Sequence, residues 1–177
     1  MSGVLGRAAL LARLTASPPL LSEVADVATQ VQPHGVDLRL ERVWRFASAG
    51  GIGRDAPAGA DRALSAREEV AFDAAGAVHL PPGAYLVRFV EVVHLPTDLM
   101  ALARPRSTLL RCGAALHTAV WDAGYQGRSE ALLVVSNENG LRLERGARIC
   151  QLVFFPLDAP GAAYAGTYQG ENLAPEG

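Results

Sequence analysis

The sequence contains no lysine; all 16 of its basic residues are arginine. No GxxxxGK[ST] run is present, which excludes a P-loop. The all-arginine habit has two readings. One is a composition bias that also produces the excess of Ala and Gly. The other is a set of planar guanidiniums recruited to grip phosphates bidentately. Both hold together, so no single Arg is informative by identity alone. Cysteine is nearly absent too. Cys112 and Cys150 lie 38 positions apart with no CxxC, which excludes a disulfide framework and a structural zinc site. Both thiols are expected to be buried small hydrophobes in a reducing compartment. Aromatics make up only 6% of the chain, so the core must rest on Leu, Val and Ala. The formal net charge of −2 excludes the basic stripe of a general nucleic-acid binder, though a small anionic ligand needs only a few local Arg.

Long apolar runs are missing as well. None reaches the ~18–20 residues of a membrane span. The short run Ala8–Ala12 is bracketed by Arg7 and Arg13 and is too brief for a signal-peptide core. The expectation is a cytoplasmic protein with no membrane partner. No internal repeat and no alternating strand–helix rhythm appears, so a doubly wound nucleotide-binding fold is excluded as well.

What is present fits one domain: 177 residues, half of them apolar, enough for a single core. Val4, Leu5, Ala8, Leu11 and Ala12 share one helical face, predicting a short amphipathic helix over residues 3–14 that Pro18 and Pro19 terminate. Residues 1–30 thus form an N-terminal helical segment, with a second weak segment at Leu21–Thr29. Alternation from Val36 to Phe46 predicts a strand with a bulge. Ala49–Arg62 is a Gly-, Ala-, Pro- and Asp-rich loop. After the Leu80-Pro81-Pro82-Gly83 turn, Tyr85–Val93 reads as a strand. Ala101–Ala103, Ala114–Val120, Ser129–Ser136, Leu141–Leu143 and Arg148–Phe155 follow, each bounded by Gly, Pro or Asn. Such closely spaced short strands predict a mainly all-β body, a distorted barrel or jelly roll. Residues 158–177, rich in Gly and Ala, are expected to be a flexible tail.

Four segments carry candidate chemistry: Gln32–Leu38, Pro105–Arg111, Thr118–Gly127 and Arg148–Phe154. In the second, Arg106 and Arg111 offer planar donors and Ser107 and Thr108 offer hydroxyls. It reads either as an anion cradle or as a Ser/Thr turn flanked by solvated Arg. In the third, Asp122 sits between Ala119-Val120-Trp121 and a Gly-containing turn. It reads either as a turn former capping its own backbone or as a base held at a sheet rim. Tyr125 alone reads as packing. Gln151, inside an apolar strand, needs partners if buried.

Taken in order, the four segments resemble the motifs of the dUTPase and dCTP deaminase superfamily. Val36-Asp37-Leu38 resembles the first motif and Pro105-Arg106-Ser107-Thr108-Leu109-Leu110-Arg111 the second. Asp122-Ala123-Gly124-Tyr125-Gln126-Gly127 resembles the third, and Arg148-Ile149-Cys150-Gln151-Leu152-Val153-Phe154 the fourth. The likeness runs from about Gln32 to Leu157 and is weakest over Ala49–Ala77. Gln32-Pro33-His34-Gly35-Val36-Asp37-Leu38, Pro82–Arg88 and the tail Gly166–Leu173 resemble the dCTP deaminase branch, which includes archaeal-type dUTPases.

The resemblance implies a homotrimer with active sites between subunits and Mg²⁺ held by the triphosphate rather than by dedicated protein ligands. It also implies a water attacking the α-phosphorus of dUTP. By that likeness Asp122 is the base. Tyr125 packs on deoxyribose, and Arg106, Ser107, Thr108, Arg111 and Gln151 contact phosphates. Glu130, Ala131 and Leu132 lie along the pyrimidine, and Tyr168 and Gln169 come from the tail. The expected reaction is hydrolysis of dUTP to dUMP and pyrophosphate. The alternatives are a dCTP deaminase, a bifunctional deaminase and diphosphatase, or a nucleotide-binding trimer without turnover. Deaminases of the family carry a proton-shuttling Glu ten residues after the third-motif Asp, where this chain has Leu132. Glu130 would be displaced by ~7 Å along a strand, and the zinc route lacks its H-x-E…P-C-x-x-C set. Thr167 and Glu171 depart from the Lys and Gln of related deaminase tails, which weakens carry-over of tail contacts.

Overall fold

The computed structural model describes residues 3–54 and 62–174. Its first elements are α1 (Arg7–Leu14), β1 (Leu21–Ser22), α2 (Val27–Gln30), β2 (Val31–Gln32) and the long strand β3 (Gly35–Phe46). Then come β4 (Gly51–Ile52), β5 (Arg62–Ala63), β6 (Arg67–Glu69), β7 (Ala77–Leu80), β8 (Gly83–Phe89) and β9 (Val92–His94). The second half holds β10 (Leu99–Pro105), α3 (Ser107–Arg111), β11 (Ala114–His117), β12 (Gln126–Gly127), β13 (Glu130–Val135), β14 (Leu141–Glu144) and β15 (Arg148–Pro156).

The principal sheet runs β10-β15-β3-β8-β13-β11, with β2 and β6 both pairing β3. Its neighbouring strands pair antiparallel throughout. The two end strands, β10 and β11, are consecutive in the chain and joined through α3. The sheet therefore curls back on itself, as the short-strand rhythm predicted. The core lies inside this curl. Val36, Leu38 and Leu40 of β3, Phe89 of β8, Leu133 of β13 and Leu152 and Phe154 of β15 are fully buried. Each contributes roughly 1.5–3 kcal/mol by leaving water. Strand β13 alternates buried and half-buried positions along its length, so its second face remains available.

The expected bulge in the long strand is present: the pairing of β3 with β8 shifts register between Leu40 and Arg42. Three differences have physical causes. The first helix begins at Arg7 rather than residue 3, because Gly6 stands extended at its N-cap. The strand expected over Tyr85–Val93 divides into β8 and β9, since Glu91 is fully buried and turns inward to pair with Arg39. Cys112 corrects the expectation for the thiols: it is exposed, while Cys150 is buried. Cys112 caps the C-terminal end of the surface helix α3, where apolar neighbours in sequence do not translate into burial. Part of the Ala49–Arg62 loop lies outside the described residues; its flanks pair as β4 and β5. No helix among the described residues is long and apolar enough to cross a membrane.

Candidate active site

Motif three builds one cleft. Trp121 is tied to β10 by two backbone hydrogen bonds with Ala101, at 2.9 and 3.0 Å. The chain then turns: the Tyr125 amide donates to the Asp122 carbonyl at 3.1 Å, and Gly124 takes φ +80°, a conformation that favours glycine. The turn leaves Asp122 exposed while Tyr125 is only 5% exposed. Both line a cleft of about 260 Å³, together with Trp121, Ser129, Glu130 and the tail residues Tyr164, Tyr168 and Glu171. Asp122 thus starts the turn and also lines the cleft.

The tail reaches this cleft through specific hydrogen bonds. Tyr164 donates its amide to the Ala123 carbonyl at 2.7 Å, and Gly170 to that of Gln126 at 2.8 Å. The Gln169 side chain bridges the turn, accepting from the Gln126 amide and donating to the Gly124 carbonyl, both at 2.9 Å. Glu171 accepts the Tyr125 hydroxyl proton at 2.7 Å. Burial raises both the Tyr125 phenol and the Glu171 carboxyl above their ordinary ranges, because each charged form would be poorly solvated.

Glu130 faces the cleft as an ion-paired group. Its Oε1 accepts from Arg67 Nη1 at 2.8 Å and from Arg88 Nε at 3.3 Å. Both guanidiniums stack over the Trp44 ring, 4.5 and 4.8 Å from its centroid, a favourable cation–π arrangement. Ala131 is buried in the core. Leu132 pairs across the sheet with His117 and Leu86, and it is Glu130 two residues before it that lines the cleft.

The other candidate residues gather around a buried carboxylate. The Asp37 side chain is 1% exposed, and its Oδ2 lies 3.2 Å from Arg106 Nε and 3.3 Å from Arg148 Nη1. Gln32 also donates to Oδ2 at 3.2 Å, and Gln151 stands opposite Asp37 in the register of β15 and β3, close enough to favour the charged carboxylate. Oδ1 has no hydrogen-bond partner among the described residues. Burial pushes the Asp37 carboxyl up, against the opposing pull of Arg106 and Arg148. Gly35 permits this convergence: a Cβ there would stand 2.6 Å from the Leu152 carbonyl and 2.9 Å from Gln151 Cγ. Nearby, burial raises the Cys150 thiol to about 12, so it supplies no thiolate. Ser107, Thr108 and Arg111 project from the exposed side of α3, which Leu109 anchors from its buried side.

The two clusters stand apart within one chain. Arg106 lies five positions beyond Ala101, the residue bonded to Trp121, which is roughly 16 Å along a strand. Asp122, Tyr125, Glu130, Tyr168 and Gln169 belong to the first cluster. Arg106 and Gln151 belong to the second, with Ser107, Thr108 and Arg111 following Arg106 on α3. Asp37, Arg148, Ser129 and Glu171 had no assigned role in the sequence reading. Asp37 falls on the opposite face of β3 from Val36, Leu38 and Leu40, so alternation alone marks it as outward, and only its place in the first motif signalled it.

Residues 4–157 match the dCTP deaminase-like family model. The chain belongs to the dCTP deaminase-like family. Two archaeal members bear the name "Probable deoxyuridine 5'-triphosphate nucleotidohydrolase". One, from Methanococcoides burtonii, is 46% identical over 159 residues, covering 89% of this chain and 92% of that one. Another, from Archaeoglobus fulgidus, is 49% identical over 154 residues, covering 87% and 89%. Among solved structures, the 2'-deoxycytidine 5'-triphosphate deaminase of Agrobacterium tumefaciens has the same fold, with a TM-score of 0.65 and 24% identity. The alignment covers 88% of this chain and 48% of the deaminase, so this chain spans about half its length.

Proposed function

We propose that this chain hydrolyses dUTP to dUMP and pyrophosphate. The observation that carries the reading is an exposed Asp122 carboxylate beside a buried, hydrogen-bonded Tyr125 in one cleft. Relatives aligned over most of their length and named for this activity support it. Asp122 orients a water against the α-phosphorus and takes its proton. The new P–O bond forms as the bond from the α-phosphorus to the α,β-bridging oxygen breaks, and pyrophosphate leaves with that oxygen. Such a transfer needs positioning and charge neutralisation above all. The Tyr125 ring packs on the sugar, where a 2′-hydroxyl would find no room.

Arg106, Ser107, Thr108, Arg111 and Gln151 are proposed to hold phosphates in a homotrimer, one subunit's Asp37 cluster completing the cleft of another. Among the described residues no group of three or more His, Cys, Asp or Glu side chains is arranged to hold a metal. Mg²⁺ is proposed to arrive on the triphosphate, an ion that favours phosphate and water oxygens with few protein ligands, and when bound it would neutralise phosphate charge. The proposed setting is a reducing cytoplasm, in keeping with two free cysteines.

Deamination is the less favoured reading of the same cleft. Position 132 is Leu, and Glu130 is engaged by Arg67 and Arg88. The test is chromatographic, with a panel of deoxynucleoside triphosphates and Mg²⁺. The expected result is dUMP from dUTP and no uracil nucleotide from dCTP. Asp122→Asn should lower dUMP formation about 10²–10⁴-fold, the usual worth of a positioned base, while dUTP still binds. Near-normal turnover in that variant would remove Asp122 from the mechanism.

A further inference from the structure

We propose that Glu171 of the tail is a positioning residue for sugar selection: it anchors the Tyr125 hydroxyl, and so sets how strictly the cleft rejects a 2′-hydroxyl. The proposal rests on the reading above in which the Tyr125 ring packs on deoxyribose.

The hydrogen bonds around Tyr125 form a chain whose direction Glu171 sets by accepting from the Tyr125 hydroxyl. Trp121 Nε1 is only a donor, so at 2.6 Å it donates to Ser129 Oγ. With Tyr125 donating to Glu171, the 3.1 Å contact between Ser129 Oγ and Tyr125 Oη is made by the Ser129 proton. The Tyr125 proton is left facing Glu171 Oε1 at 2.7 Å. The chain is satisfied only if it ends on an acceptor, and Glu171 is that acceptor. Trp121 and Tyr125 are each 5% exposed and Ser129 is 4% exposed, so water is a poor substitute. Removing Glu171 leaves the three buried donors of this chain one acceptor short, which a rotation or shift of the ring would relieve.

Packing makes that ring sensitive to its anchor. A Cβ on Gly127 would stand 2.5 Å from Tyr125 Oη, so the tyrosine passes close over bare backbone. The Tyr164 ring meets Tyr125 edge-on, with centroids 5.9 Å apart and planes at 65°. Two of the contacts that fix the ring, Tyr164 and Glu171, therefore come from the tail. Sugar selection is thereby coupled to docking of the tail, whose Glu171 carbonyl also accepts the Arg128 amide at 3.0 Å.

The experiment measures kcat/KM for dUTP and for UTP on the whole chain. The variants are Tyr125→Ala, Tyr125→Phe, Glu171→Ala, Glu171→Gln and the Tyr125→Phe/Glu171→Ala pair. Glu171→Ala should lower the dUTP-to-UTP ratio on the order of ten-fold. Glu171→Gln, whose amide oxygen still accepts, should hold the ratio within about two-fold. In the Tyr125→Phe background, Glu171→Ala should change the ratio no further, as one shared contact requires. A wild-type ratio in Glu171→Ala, or an equal loss in Glu171→Gln, overturns the proposal while a collapsed ratio in Tyr125→Ala keeps the sugar reading. An unchanged ratio in Tyr125→Ala overturns both.

Discussion

Asp37 is a carboxylate almost without solvent, and one of its oxygens has no hydrogen-bond partner among the described residues. Its pKa is raised, so the folded state binds the proton more tightly than the unfolded chain does. The stability tied to it is therefore fully present below the unfolded pKa and is lost as pH rises through the folded one. Its partners Arg106 and Arg148 are about one third exposed and remain partly solvated without it. Asp37→Asn mimics the protonated form. The variant should gain Tm relative to the natural chain at pH 8, by a margin that shrinks as pH falls toward the ordinary carboxylate range, as thermal melts across a pH series would reveal. The same variant should raise the KM for dUTP about ten-fold or more, because Arg106 loses the partner that orients it. A Tm deficit that grows with pH would contradict the burial argument.

At the scale of an element, the tail is held against the motif-three turn by backbone hydrogen bonds, Gln169 and Glu171. Gly124 is the pivot. It has φ +80°, and a Cβ there would stand 2.7 Å from Ala163 Cα. Gly124→Ala should push residues 161–172 off the cleft and lower dUTP turnover, while leaving the buried sheet intact. Hydrogen exchange would show this as lost protection at the Gly170 amide with β15 unchanged; protection retained at Gly170 would refute it. Docking should also respond to pH. Burial raises Glu171, with Glu130 adding to the rise and Tyr125, Arg88 and Arg67 opposing it. Docking is accordingly favoured at low pH and weakens as pH rises through the Glu171 range. Protection factors at Arg128 and Gly170, corrected for intrinsic exchange, should be higher at pH 5 than at pH 8. Equal values would remove Glu171 as the titrating group.

Over the whole molecule, the Asp122 and Asp37 clusters sit toward opposite ends of β10, at Ala101 and at Arg106 just beyond it. The proposed homotrimer pairs unlike clusters across an interface. Inactive Arg106→Ala and Asp122→Asn chains, mixed by unfolding and refolding together, should then regain a fraction of wild-type activity, since some interfaces receive neither lesion. Light scattering should give three chains per particle. A monomer at working concentration, or mixed chains as inactive as each parent, would exclude a shared site.

Much was legible in the sequence because it is local chemistry. Alternation with a bulge marked β3, Gly and Pro punctuation marked the strands after Pro96, and motif order marked the family. Asp122 and Tyr125 were named from the six-residue motif Asp122–Gly127, whose turn Gly124 permits. The remaining features depend on residues far apart in the chain. Glu171 meets Tyr125 across 46 positions and Arg148 meets Asp37 across 111. Arg67 reaches Glu130 across 63. Composition gave Cys112 and Cys150 the same expected burial, but only the packing of α3 and β15 separated them. Local sequence determined which strands and turns form, since propensity and backbone freedom act within a few residues. Tertiary structure decided which charges face one another, because burial and pairing are properties of the closed sheet and of the tail laid against it.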